Sequence, residues 1–226
     1  MSKRTVVVGV SVNPEIVVHH RDAGGTKRHV VKRHECLSGT SLDVALWLHE
    51  FGMETTLIGA VSDRGFFADL EQPLNQLGLR TILLPVRERM PLAIISVDEE
   101  TGERRHLSDK PPYLEEAKEV ALQQVRDCVT AYTPSFRVAT GVMPEDAFLA
   151  QELLGKERTF PVTRMLNPRT ELLRSPHRDV LAELLSCTDV VILNHQELAP
   201  LEPEAVLGKV ADLHRGALAL MEMGPS

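Results

Sequence analysis

Residues 37–81, LSGTSLDVALWLHEFGMETTLIGAVSDRGFFADLEQPLNQLGLRT, carry a fixed order of signals that few folds accommodate. A turn of small residues, Ser38-Gly39-Thr40-Ser41, leads into a helix whose apolar face is expected to hold Leu42, Ala45, Leu46, Trp47 and Leu48. That helix stops at Phe51-Gly52, where glycine can take the left-handed position beyond the last turn. Residues 55–59 read as a buried strand, followed by a polar loop. A second helix over residues 64–77 presents Phe66, Leu70, Leu74 and Leu77 at helical spacing, with Pro73 expected to kink or split it near residues 70–72. Exposed N–H groups and three hydroxyls before the first helix suit an anion or a polyol.

The rest of the chain repeats the alternation. TVVVGV over residues 5–10 is a β-branched run of the kind buried on both faces of a parallel sheet, and is predicted as its central strand. Strands are predicted over residues 81–85, 136–140, 162–166, 189–193 (DVVIL, again buried on both faces) and 216–221. Helices are predicted over residues 113–129, 145–154, 179–187 and 202–214. Alternation over the whole length implies an α/β fold with a doubly wound, mostly parallel sheet. Two stretches break the rhythm. Residues 16–36, around Asp22-Ala23-Gly24-Gly25, and residues 92–107, around Asp98 to Gly102, read as antiparallel hairpins.

A chain of 226 residues with 43% hydrophobic content can bury one sizeable core, and a net charge of −7 offers no basic footprint for nucleic acid. No apolar run nears the ~18 residues of a membrane span, and Pro14 and Glu15 come too early for a signal peptide. A cytoplasmic protein acting on small molecules is expected. Cys36, Cys128 and Cys187 are odd in number and widely spaced, as structural thiols are. His19, His20, His29 and His34 match no tight metal pattern and read as solvated hairpin residues.

The order of turn, helix, F-G, strand, I-G, loop, helix and L-G-L resembles the N-terminal half of ribokinase-like (PfkB-type) carbohydrate kinases. The family's GGxxxNxA signature falls on Ser38, Gly39, Asp43 and Ala45, with one Gly and the Asn replaced. Its GxxGxDxFG signature keeps Gly59, Asp63 and Phe66 but has Ser62, Arg64 and Phe67 elsewhere. The D-x-x-x-G-E-R pattern from Asp98 to Arg104 is similar to the family's lid strands. Asn167 stands where the family has the acid of D-x-N. Asn194-His195-Gln196-Glu197 matches N-x-x-E, and Glu222-Met223-Gly224 lies where the family has T-x-G beside the nucleotide phosphates.

The resemblance implies a single domain over residues 1–226, with segments 16–36 and 92–107 forming one small β-lid over the Ser38 to Asp43 turn and with a homodimer through that lid. It places Asn13, Ser38, Gly39 and Asp43 against a sugar or nucleoside; the family's substrate Asp is absent, and Asn13 or Glu15 takes its place. It assigns Asn194, Glu197, Glu222 and Gly224 to ATP and Mg²⁺, with Glu197 toward the metal. Mg²⁺ keeps several waters and needs few protein oxygens. The competing reading, which capping rules favour, is that Asn194 caps the helix over residues 197–201.

The similarity covers the N-terminal two-thirds to three-quarters of a family member. Residues 1–226 contain no Gly-Ala-Gly-Asp, the motif whose Asp is the family's base, so no catalytic residue is named and the domain is expected to be incomplete and inactive as written. The function implied is an ATP-dependent kinase of a sugar or nucleoside-like alcohol. The alternative is a non-catalytic ligand-binding or interaction protein on the same scaffold. An NAD-linked dehydrogenase is disfavoured, because Gly9 to Asn13 lacks GxGxxG spacing.

Overall fold

The computed structural model describes residues 3–22, 28–62, 71–86, 92–108, 117–155, 162–194 and 197. The expected strand over residues 216–221, the helix over 202–214, the signature residues Asp63, Arg64, Phe66 and Phe67, and Glu222 and Gly224 lie outside them.

The main body is a six-stranded sheet in the order β10-β9-β8-β1-β4-β5. Its strands are β1 (Arg4–Ser11), β4 (Glu54–Ser62), β5 (Arg80–Val86), β8 (Phe136–Val142), β9 (Thr163–Pro168) and β10 (Val190–Val191). Every pairing in it is parallel. β1 lies inside the sheet, between β4 and β8, as its uninterrupted valines require: Val6 and Val8 enter one apolar cluster and Val7 the other.

On one face α1 (Thr40–Glu50) and α2 (Glu71–Gln76) cover Val7, Leu57 and Val138 with Leu42, Ala45 and Leu74. On the other, α3 (Lys118–Tyr132), α4 (Ala147–Leu154) and α5 (Arg178–Ser186) bring Ala121, Val125, Leu149, Leu153, Leu181 and Leu184 onto Val6, Val8, Ile58 and Leu166. The result is the doubly wound, three-layer arrangement that the sequence rhythm implies.

The two hairpins join in a second sheet of four strands, in the order β3-β2-β6-β7. It comprises β2 (Asn13–Asp22), β3 (Arg28–Ser38), β6 (Ala93–Asp98) and β7 (Arg104–Ser108). β2 pairs antiparallel with β3 and parallel with β6, so the seam between the hairpins is a parallel ladder from Glu15↔Ala93 to His20↔Asp98. Only Val12 separates β1 from β2, and only Gly39 separates β3 from α1.

Three expectations are corrected. Trp47 is exposed and stacks on Phe51, with ring centroids 6.1 Å apart, instead of facing the core; a broad apolar stripe places it one step past the buried arc of Leu42 and Ala45. Pro73 lies within α2, while residues 63–70, into which the expected helix over 64–77 and its kink extend, lie outside the described residues. DVVIL is not sealed on both faces: β10 spans two residues and Val190 and Ile192 are exposed. His20 is not solvated but buried. Its Nε2 lies 2.8 Å from Ser96 Oγ and 3.1 Å from Arg28, so the imidazole ties β2 to β3 and β6.

Candidate functional site

From β1 the chain builds outward through β4 and β5, then returns to the opposite side of β1 and builds outward through β8, β9 and β10. The winding therefore reverses between β1 and β8. In open α/β sheets the crevice at the carboxyl ends of the strands, at such a reversal, is where ligands bind.

The first turn of α1 is pressed into that point. A Cβ on Gly9 would stand 2.5 Å from Ser41 Cβ and 2.8 Å from the Thr140 carbonyl oxygen, so only glycine lets the helix start come this close to β1 and β8. Gly39 precedes the helix at φ 137°, ψ 134°, a conformation that glycine alone adopts without strain, and it makes no side-chain capping bond. Gly39 itself has no side chain with which to cap the helix. Thr40 and Ser41, read from sequence as part of the turn, are already helical, and Ser41 is buried.

Ser38 and Asn13 face each other across the base of the β2–β3 ladder, which sets both beside the α1 turn. Glu15, Cys36 and Asp43 converge there: Glu15 pairs with Cys36 across the ladder, with Oε1 4.0 Å from Sγ. Asp43 is an exposed residue, yet the cover over its carboxylate, and then the charge of Glu15, raise its pKa above the usual range. The Cys36 thiol is raised by burial first and then by Glu15 and Asp43, so it is no ready thiolate. Glu15, which the sequence offered beside Asn13 in place of the family's Asp, adds its charge to the burial that raises both groups.

Across the crevice, Asn167 at the end of β9 accepts from Thr140 Oγ1 at 3.2 Å and from the Gly141 N–H at 3.3 Å, and donates to the Ile192 carbonyl at 2.8 Å. Beyond β10, the Glu197 N–H donates to Asn194 Oδ1 at 2.9 Å, and the Asn194 N–H donates to Glu197 Oε2 at 2.8 Å. This reciprocal pair is a capping box, so the capping role of Asn194 is realised. It also fixes the oxygens of both side chains. Among the described residues no group of three or more His, Cys, Asp or Glu could hold a metal ion. A magnesium ion held largely through its own waters, with Glu197 and Asn194 as its few protein oxygens, fits that donor set; a fully protein-ligated ion does not.

One residue was not singled out from sequence. Asp146, in the 3₁₀ turn Pro144–Asp146 after β8, is 6% exposed and accepts the Met143 N–H at 2.6 Å through Oδ1. Its Oδ2 is buried without a hydrogen-bond partner, and its pKa is pushed up to about 7, mainly by burial. The only signal for it was an acid two residues after Pro144, a common helix-entry pattern.

With this geometry in place, the likeness to solved structures can be read. The fold is ribokinase-like. The chain superposes on ribokinase from Giardia lamblia with a TM-score of 0.76 at 15% identity, covering 100% of this chain and 67% of that one. On the tetrameric inhibited form of phosphofructokinase-2 from Escherichia coli the TM-score is 0.71 at 13% identity, covering 98% and 71%. On Arabidopsis thaliana ribokinase complexed with ribose and ATP it is 0.67 at 15% identity, covering 99% and 70%. The chain therefore spans about two-thirds of the length of these kinases. No family model and no curated protein matches its sequence. Among the described residues no helix is long and apolar enough to cross a membrane.

Proposed function

We propose that this chain is the substrate-binding and nucleotide-organising portion of a ribokinase-like kinase, taking a sugar or nucleoside-like alcohol at the α1 turn and ATP with Mg²⁺ toward Asn194 and Glu197. The observation that carries the reading is the Gly9 contact, which seats the start of α1 at the winding reversal of a ribokinase-like sheet. Asn13, Ser38, Gly39 and Asp43 line the acceptor side; Asn194, Glu197, Glu222 and Gly224 serve the nucleotide side. When bound, Mg²⁺ neutralises charge on the phosphates. The chain's own residues bind and orient, and no general base is assigned among them. Cytoplasmic location and a dimer through the four-stranded sheet belong to the same reading; a second copy there would cover Val30, Val31 and Leu107, all exposed.

Calorimetric titration with D-ribose, D-fructose, adenosine and ATP·Mg²⁺, run beside an ADP-release assay, tests it. Binding of at least one acceptor and of the nucleotide, without turnover by residues 1–226, is expected. Acceptor-dependent ADP release that survives both Asn194→Ala and Glu197→Ala would show the chemistry to be misplaced.

A second reading, a ligand-binding protein without catalysis, is favoured by the acidic pair Glu15 and Asp43, which replaces a neutral amide with charge. Asp43→Asn discriminates. An amide both donates and accepts where an ionised carboxylate only accepts, and it removes the repulsion from Glu15. The variant is expected to hold stability within about 1 kcal/mol, the scale of a lost charge–dipole contact at a helix start, while tightening acceptor binding several-fold. Equal absence of binding to both forms would remove Asp43 from the site.

A further inference from the structure

We infer that Asn167 is a positioning residue whose single carboxamide couples the acceptor side of the crevice to the nucleotide side; this rests on the reading just given. Near the end of β9 the backbone ladder is bulged on the β8 side, resuming at Val142↔Pro168, and short on the β10 side, where the Ile192 N–H to the Leu166 carbonyl at 2.8 Å is its last bond. Between β8 and β9 the register slips between Thr140 and Val142, and between β9 and β10 only two residue pairs form, Met165↔Val190 and Leu166↔Val191. The Asn167 side chain adds a bond on each side at these irregular places. It takes the Thr140 hydroxyl and the Gly141 N–H on one side and gives its amide hydrogen to the Ile192 carbonyl on the other.

Each contact leads to one half of the site. A Cβ on Gly141 would lie 3.4 Å from Thr40 Cβ, and the Thr140 carbonyl abuts Gly9 beneath Ser41, so the β8 contact sets where the α1 turn rests. Ile192 is two residues from Asn194, so the β10 contact sets where the Asn194–Glu197 box begins. The carboxamide offers its acceptor to β8 and its donor to the Ile192 carbonyl at once. Aspartate keeps the acceptor side and loses the donor, and alanine loses both. A ligand that draws the α1 turn inward therefore acts through Asn167 on the box, and by linkage the reverse holds equally.

The test measures affinity for adenylyl imidodiphosphate with Mg²⁺, with and without whichever of D-ribose, D-fructose and adenosine binds more tightly. In the unaltered chain the ratio of the two affinities should be about tenfold, within the usual range of such couplings. Asn167→Ala should bring the ratio to about one. Asn167→Asp should keep acceptor affinity and lose the ratio, and Thr140→Val, which removes one donor, should lower it in part and serves if the alanine variant does not fold. Amide exchange at Gly141 and at residues 192–194 should quicken in the Asn167 variants. A purely structural role would lower the melting temperature and leave the ratio unchanged, which overturns the inference. Binding of both ligands to the unaltered chain without coupling overturns it while leaving the proposed function standing; no binding of any probe removes both.

Discussion

Gly9→Ala is expected to destabilise the fold by about 3 kcal/mol or more, read as a shift of the urea midpoint, and to abolish ligand binding in whatever fraction still folds. The added methyl meets the Ser41 Cβ at 2.5 Å and the Thr140 oxygen at 2.8 Å, and neither can step aside, since one belongs to the first turn of α1 and the other to the backbone of β8. The chain must push α1 off the sheet or bend β1, and both displace the crevice. Gly59→Ala is the matched control. There the methyl meets Val12 Cγ2 at 3.3 Å, the end of a side chain, and the Gly9 oxygen at 3.4 Å, so a cost of about 1 kcal/mol is expected. Similar losses at both positions would show that the Gly9 contact is not special.

The second large effect is pH-dependent. The carboxyl of Asp146 is pushed up to about 7 from 3.8 by burial, which outweighs the Met143 N–H bond; Glu145 adds to the rise and Arg169 opposes it. In the unfolded chain the group ionises near 3.8, while in the folded chain it keeps its proton until about 7. Its stabilising contribution is complete below 3.8, is lost as pH rises through about 7, and is flat above that. The span amounts to on the order of 4 kcal/mol. Asp146→Asn mimics the protonated form at every pH, and its Oδ1 still accepts from Met143. The variant should match the unaltered chain near pH 4 and exceed its unfolding free energy by a few kcal/mol at pH 8. The difference between the two chains, measured by urea unfolding at both pH values, cancels the histidines. Parallel pH curves would refute the assignment.

Much of the fold was legible because the relevant signals are local. The valines of β1, the glycine stops after α1 and before β5, and the turn residues between hairpin strands act within a few positions of themselves, and the sheet and both hairpins followed from them. What failed depends on neighbours that a single segment does not encode. DVVIL has the composition of a central strand, but its burial is set by what pairs beyond it, and β10 adds only two residues to β9. Trp47 satisfies the helical stripe, yet the buried arc is fixed by where β1 and β4 lie beneath α1, and the indole finds Phe51 instead. His20 alternates like its solvated neighbours, and only the parallel seam with β6 buries it beside Ser96.

At the candidate site, the place of Gly39 and Asp43 at a helix start was legible from the turn and the apolar stripe that follows it. Glu15, Asp146 and Asn167 owe their roles to residues 21 or more positions away, or to burial, which spacing along the chain does not report.

The joints between the two sheets also have a mechanical consequence. On the β2–β3 side the chain crosses from one sheet to the other through Val12 and Gly39 alone, and the strands beside those residues are pinned together at Asn13↔Ser38. Two single-residue joints held side by side form a hinge with one axle. Sliding or twisting would break the ladder, so the soft coordinate on this side is a rocking angle set by four backbone torsions. Val12 is wholly buried, with 0% exposure, which leaves Gly39 as the compliant pin. A residue with a side chain at position 39 would therefore stiffen the angle between the sheets and retune how far they open, besides adding bulk on the acceptor side to which Gly39 is assigned.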